Sequence, residues 1–236
     1  MIFEVLFIST IGAFLSLDRT AVFQSMIAQP IIAAPIIGYF LGDLSAGVTI
    51  GALLQLLWVC ALPVGSFIPP DETLATILIT SCTILGTKNA ANINNFNSFI
   101  VLNVLLLIPL AYLGSFVDIW IRNINAIFSH NADKECANFE FSKIERKNIL
   151  GLLSFYLINF AVIFLLLTIS INLLPYIYRL VPDSVVSGLE LMYPIILMVG
   201  VGTLLFYNKI KNSLVIFAAS FLFFSLIIDF FNLGLF

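Results

Sequence analysis

Five side chains able to bind a polar solute sit in the first, strongly apolar third of this chain: Gln24, Gln29, Gln55 and the adjacent pair Asp71 and Glu72. A glutamine amide offers a donor and an acceptor from one side chain, and a carboxylate offers acceptors alone. Together they supply the paired hydrogen bonds that a solute rich in hydroxyl groups, such as a sugar, requires. At membrane depth such groups are tolerated where protein or a water-filled cavity surrounds them, so the stretch from Leu54 to Leu74 reads as part of a solute path. Simpler roles stand beside this one. Each glutamine can bond across to a neighbouring helix, Asp71 can cap the helix that follows it, and Glu72 can point into a polar mouth. Trp58 offers a ring on which a sugar stacks, although tryptophan in membranes also anchors and packs.

The remaining polar groups point to less. Asp18 and Arg19 read as a local ion pair at a membrane boundary, and Asp43, after Leu41 and Gly42, reads as a helix end at an interface. Asp229, in an apolar run, either faces a partner subunit or marks where the last helix leaves the bilayer. His130 is the only histidine and stands near Asp133 and Lys134, without the partners that a nucleophilic or phosphocarrier site needs. Cys60, Cys82 and Cys136 have no paired metal-ligand spacing and read as small buried hydrophobes. No metal and no cofactor are expected.

Composition sets the class. The chain has 236 residues, 61% hydrophobic and 10% charged, with a mean hydropathy of +1.12. Soluble domains carry roughly 45–50% apolar and about 25% charged residues. Its net charge of −3 and scattered basic residues remove the electrostatic basis for binding nucleic acid. The N-terminal run contains Glu4 and no lysine or arginine before Arg19, so it reads as a retained membrane segment rather than a cleavable signal.

Those residues must be held by membrane helices. Apolar runs long enough to span occur at Val22 to Leu41, Gly47 to Ile68, Phe99 to Val117, Ile149 to Leu173, Val185 to Tyr207 and from Leu214 onward, with Ile2 to Leu17 marginal. Leu74 to Leu85 is too short to span and follows Pro69 and Pro70, which predicts a re-entrant hairpin near residues 60–85. The expectation is an all-α polytopic membrane protein with about 6–8 transmembrane helices plus that hairpin. Arg122, Lys134, Lys143, Arg146 and Lys147 place a polar loop, 118–148, in the cytoplasm, and Lys209 and Lys211 place a second one there. That divides the chain into a membrane part with broken helices, 1–117, the loop, and further transmembrane helices, 149–236. Pro30, Pro35, Gly38, Gly42, Gly47, Gly51, Pro63 and Gly65 all punctuate the first part, so the functional residues are expected before Leu85. Ile149 to Leu173 reads as a plain lipid-bathed helix, with Asn159 its most notable polar residue.

At these residues the chain resembles the IIC subunit of the mannose/fructose/sorbose family of the bacterial phosphoenolpyruvate-dependent phosphotransferase system. The resemblance runs through Leu17-Asp18-Arg19-Thr20, Gln29-Pro30-Ile31-Ile32-Ala33, Gly38-Tyr39-Phe40-Leu41-Gly42-Asp43, Gly51-Ala52-Leu53-Leu54-Gln55, Pro63-Val64-Gly65 and Pro69-Pro70-Asp71, with a weaker Asp229-Phe230-Phe231-Asn232-Leu233 echo. It implies a membrane permease component that pairs with a IID subunit in the bacterial inner membrane, as an oligomer of IIC–IID pairs. It would bind a hexose through Gln55 and Asp71 and expose the C6 hydroxyl to phosphorylated IIB, with IIA and the phosphocarrier protein HPr upstream. The phosphate-carrying histidines would then belong to IIA and IIB rather than to this chain. Gln29 stands where that family often has a basic residue or histidine, which bears on the preferred hexose. Many relatives continue past the final echo, whereas this chain stops at Phe236, so a shortened functional version and a regulatory homologue with little transport are both expected outcomes. From the residues alone, an ion-coupled secondary transporter is the main rival; a membrane enzyme acting on lipid would show more clustered carboxylates.

Overall fold

A computed structural model describes residues 2–59, 68–89, 93, 95–137, 139, 141–207 and 212–230, and all regular structure among them is helical. Pro63 and Gly65, which punctuate an apolar run in the sequence, the expected loop residues Lys209 and Lys211, the expected buried Cys60 and the echo after Phe230 lie outside the described residues, as does the side chain of Asp229.

The first helix, α1, covers Ile2–Thr20 and buries a stripe of small residues, Ser9, Gly12, Ala13 and Ser16, at helical spacing. The Ser9 and Ser16 hydroxyls donate to the Val5 and Gly12 carbonyls one turn back, so neither is left unpaired in an apolar setting. The stripe lets two neighbours approach. A Cβ on Gly12 would lie 3.0 Å from Ile77 and 3.2 Å from Ile163.

The expected single span Val22 to Leu41 is instead a turn followed by a short helix, α2, over Pro30–Phe40. Proline at the first helical position starts a helix and cannot continue one, which is why the break falls there. The chain then reverses tightly. Gly42 takes φ +76, Asp43 N donates to Gly38 O at 2.8 Å and Gly42 N to Tyr39 O at 3.1 Å, which closes α2 in a Schellman motif. Asp43 then accepts from Ala46 N at 2.9 Å and caps α3, Leu44–Trp58. The two helices pack antiparallel at near backbone contact, because a Cβ on Gly47 would sit 2.7 Å from the Ala34 carbonyl oxygen. At about 1.5 Å per residue neither spans a bilayer, so α2 and α3 form a short helical hairpin.

The segment Leu74 to Leu85, expected to be short, lies inside an 18-residue helix, α4, Glu72–Asn89. Hydroxyl groups conceal its length in the sequence. Thr73, Thr76, Thr80, Ser81 and Thr83 lower its hydropathy, yet all are buried, and Leu74 through Leu85 are enclosed on every side. Helices α1, α2 and α3 all pack on it, as do elements that come later in the chain. Helix α5, Phe96–Leu107, bends by 41° at Ile108–Pro109 into α6, Leu110–Ala137. The expected loop 118–148 is therefore largely helical, since α6 runs to Ala137 and α7, Phe141–Leu180, starts shortly after. A polar stretch reads as a loop along the sequence, but two helices running on past the apolar zone satisfy their own backbone and tolerate the polarity.

Helix α7 runs antiparallel to α1 and also packs on α4. Its Ile171 and Asn172 share a groove with Ile2 and Val5, and its Gly151 shares a cleft with Ala21. One face of α7, Phe155, Asn159, Ile163 and Leu167, is buried, so it is not bathed in lipid all round. Helices α8, Asp183–Tyr207, and α9, Ser213–Phe230, follow where the sequence places them. By length and apolar content α7 and α8 can cross a membrane, as can α5 and α6 counted as one bent span; α2, α3 and α9 supply shorter apolar stretches.

Gly47→Leu should cost roughly 1–3 kcal/mol by overpacking the α2–α3 contact. It should lower the thermal unfolding midpoint of the detergent-solubilised protein, whereas Gly188→Ala, at a position facing open space, should leave it unchanged.

Candidate functional site

The C-terminal end of α1 carries two charges that work in opposite directions. Asp18 turns to the segment that follows it: its Oδ1 accepts from Ser25 N at 2.8 Å and Ser25 Oγ at 2.7 Å, and its Oδ2 accepts from Ala28 N at 3.2 Å. That segment holds Phe23, Gln24 and Met26 at positive φ. Left-handed backbone at residues with a side chain costs of order 1 kcal/mol or more each and persists only where neighbours enforce it. The buried Asp18 carboxylate does the enforcing, with help from Thr73 Oγ1, which donates to Ala28 O at 3.1 Å.

Arg19 turns inward. Its Nη1 donates to Asp118 Oδ2 at 2.6 Å and lies 3.5 Å from Asp71 Oδ2, its Nη2 donates to the Pro69 and Pro70 carbonyls at 3.1 and 3.3 Å, and its Nε lies 3.7 Å from Glu72 Oε2. The expected local Asp18–Arg19 pair is thus replaced by links from α1 to the start of α4 and to the middle of α6. Only a guanidinium presents enough donors in one plane to serve carbonyls and carboxylates from separate elements at once.

Asp71 is buried and caps α4, with Oδ1 accepting from Leu74 N at 3.0 Å; its own N donates to Ala111 O at 2.8 Å. It fits because Gly114 faces it, where a Cβ would come within 2.4 Å of the Asp71 Cβ. Gln55 is also committed: its Oε1 accepts from Ile31 N at 3.2 Å, satisfying an open donor in the first turn of α2, and its Nε2 donates to Gln29 Oε1 at 2.8 Å.

These groups surround a cavity of about 330 Å³ between the end of α1, the segment 21–29, the end of α3, the start of α4 and the middle of α6. Gln24, Gln29 and Glu72 line it, together with Trp58, Arg19, Asp118 and Arg122. Of the residues singled out in the sequence, Gln55 stands behind Gln29, and Asp71 stands beside Arg19 without lining the cavity. Glu72 Oε2 is buried and has no hydrogen-bond partner, so it keeps acceptor capacity at the cavity wall. Sequence reasoning does not find Asp118 and Arg122. Both fall in the polar stretch that reads as a loop, and the only sequence signal for them is the i, i+4 acid–base spacing on what proves to be a helix. His130 is exposed on α6 and does not line the cavity. Among the described residues no cluster of His, Cys, Asp and Glu is placed to hold a metal ion.

Chemically, the cavity offers guanidinium donors, carboxylate acceptors, amides that do both, and one indole ring. That set suits a small molecule with hydroxyl edges and an apolar ring face.

Replacing Arg19 by Met leaves Asp71, Glu72 and Asp118 with no shared cation, and should cost about 3–5 kcal/mol. The loss should appear as a lower unfolding midpoint, partly recovered in Arg19→Met/Asp118→Leu. A midpoint equal to the wild type would show that the cluster does not hold the elements together.

This chain is 26% identical to the sorbose-specific EIIC component of the phosphotransferase system of Klebsiella pneumoniae, over 82% of this chain and 70% of that one. Against the mannose-specific EIIC component of Escherichia coli K12 the figures are 27% identity, 73% of this chain and 61% of that one, so the match spans less than two thirds of the latter's length. The fold matches a solved structure of the mannose transporter ManYZ with microcin E492, with a TM-score of 0.58 and 24% sequence identity over 95% of this chain and 85% of that one. The family model described as the sorbose-specific IIC component of the phosphotransferase system matches residues 2–235, and the chain, a helical membrane protein, belongs to that family.

Proposed function

We propose that this protein is the sugar-translocating IIC subunit of a mannose/fructose/sorbose-type phosphotransferase permease. It works in the bacterial inner membrane beside a IID subunit, in an oligomer of such pairs. The observation that carries this reading is the cavity, whose volume of about 330 Å³ lies near the lower end of small-molecule sites, roughly 300–1,000 Å³. It sits at the end of the bundle from which the basic stretch of α6 and α7 extends, the cytoplasmic end by the distribution of lysine and arginine.

In this reading a hexose takes hydrogen bonds from Gln24 and Gln29, donates its hydroxyl protons toward Glu72, and lays a ring face on Trp58, while Arg19, its donors already committed, holds the wall in place. Gln55 and Asp71 act one step behind, Gln55 by fixing Gln29 and Asp71 by sharing Arg19. The soluble IIB protein, phosphorylated in turn through HPr and IIA, supplies the phosphoryl group to a hydroxyl of the bound sugar. This chain contributes binding, orientation and passage. The part up to residue 117 then holds most of the sugar-binding core, with α6 adding one wall.

Uptake of labelled mannose into vesicles holding this chain and its IID partner should yield sugar phosphate only when phosphorylated IIB is supplied. Free sugar entering without IIB would favour an ion-coupled carrier. No uptake of any hexose would favour a regulatory role.

Gln29→Leu and Glu72→Gln should each weaken hexose binding by about tenfold, the size of one hydrogen bond to a buried polar partner. Asp71→Asn keeps the helix cap and should act less, through Arg19. Wild-type affinity in both of the first two variants, measured by equilibrium dialysis, would remove the cavity from the sugar path.

A further inference from the structure

Beside the binding cavity lies a larger cleft, about 710 Å³, between the second half of α6 and the first half of α7, closed on one side by Ala21 at the end of α1. Nothing in the proposed binding mode uses it. The two spaces adjoin along two elements. Thr20 lines the cavity and Ala21 the cleft, and on α6 Asp118 and Arg122 line the cavity while Asn125 and Ser129 line the cleft. The α6 residues are spaced by four, three and four, which puts them on one face of the helix, as a polar stripe leading from one space into the other. Asp118 is 3% exposed, Asn125 is half-buried, and Arg122 and Ser129 are exposed, so the stripe leads from the buried cluster to the surface.

The walls of the cleft share the aromatic and amide part of the cavity's chemistry, without its ion cluster. Phe128, Phe141 and Phe155 give apolar faces, and Asn125, Ser129 and Asn148 give amide and hydroxyl groups. Its floor is open because it is built on glycine: a Cβ on Gly151 would lie 3.6 Å from Asn125 Oδ1, an ordinary contact, so methyl fits and anything longer enters the cleft. Glu145 and Lys147 of α7 also line the space, and Lys147 is held by Glu135 at 2.6 Å. An aromatic and amide-lined cleft adjoining a sugar cavity is suited to the sugar itself.

We propose that the α6–α7 cleft is a second sugar subsite, an exit vestibule through which the hexose or its phosphate leaves the binding cavity along the Asp118–Ser129 stripe. This inference rests on the sugar-binding reading of the cavity.

The test uses the IIC–IID complex in vesicles, with Ser129→Cys in a background whose three native cysteines are replaced by serine. A bulky maleimide on the introduced thiol should cut phosphate-linked hexose uptake at least about tenfold, whereas methylthiolation should leave it near the unmodified rate, as expected when size and not chemistry blocks a path. His130→Cys, one residue along and outside the cleft, should tolerate either reagent. Gly151→Leu should reproduce the block and Gly151→Ala should not, with equilibrium hexose binding kept within about twofold in all variants. Unchanged uptake after bulky modification, or in Gly151→Leu, overturns the vestibule while the cavity stands. A block that coincides with lost IIB binding assigns the cleft to the soluble partner and overturns it as well. Absence of hexose binding in the unmodified complex removes the cavity reading, and the vestibule with it.

Discussion

One guanidinium decides where four segments meet. Arg19 draws the carbonyls of Pro69 and Pro70, the first turn of α4 and the middle of α6 onto the end of α1. In a low-dielectric interior such a group cannot be left unpaired, so the elements that carry its partners have little freedom to drift. A cluster of three carboxylates around one cation also binds them to each other's presence. Removing the cation leaves repulsion, and removing one carboxylate leaves the others better matched. The cavity wall is the outer surface of this cluster, so the arrangement that fixes the fold at this end also orients the groups a solute meets.

The rest of the architecture makes that meeting point available. Helix α4 is buried along nearly its whole length and presents its capped N-terminus to the cavity, with Asp71 held against Gly114 and Glu72 at the wall. The short α2–α3 hairpin brings Gln29 and Gln55 into contact across 26 positions of sequence and leaves Trp58 at the end of α3 facing the same space. The segment 21–29 cannot relax into a helix while Asp18 holds Ser25 and Ala28. Local strain is retained there by side-chain bonds, a pattern common where a binding surface must be preformed.

The polar half of α6 joins two regions that composition separates. Its buried Asp118 belongs to the Arg19 cluster, while its later turns form one wall of the α6–α7 cleft. A single helix therefore runs from the charged core of the site to the exposed end of the bundle. Any shift of α6 against α7 would be felt at Arg19 through Asp118, which couples the outer cleft to the cavity by a direct contact.

The sequence by itself determined the membrane class, the all-helical character, the breaks at prolines and glycines in the first third, and the concentration of polar groups there. These follow from composition and local stereochemistry: apolar content is summed along the chain, and Pro30 or Gly42 acts within a turn of its own position. The family resemblance was legible for the same reason, since it lies in short ordered segments. Only the tertiary structure decided which polar side chains face one space. Gln55 and Asp71 look from the sequence like Gln29 and Glu72, yet the first pair is spent on helix starts and the second lines the cavity. Arg19 had an adjacent acid and took distant ones instead, and α4 was hidden because its threonines and serines lower hydropathy while burial and backbone bonding neutralise their cost. Asp118 and Arg122 are obscured in the opposite way, by a polarity that resembles a loop on a helix that carries it. In each case the deciding quantity was the identity of the partner across space, and a pattern along one chain does not encode which of several chemically equal groups will find it.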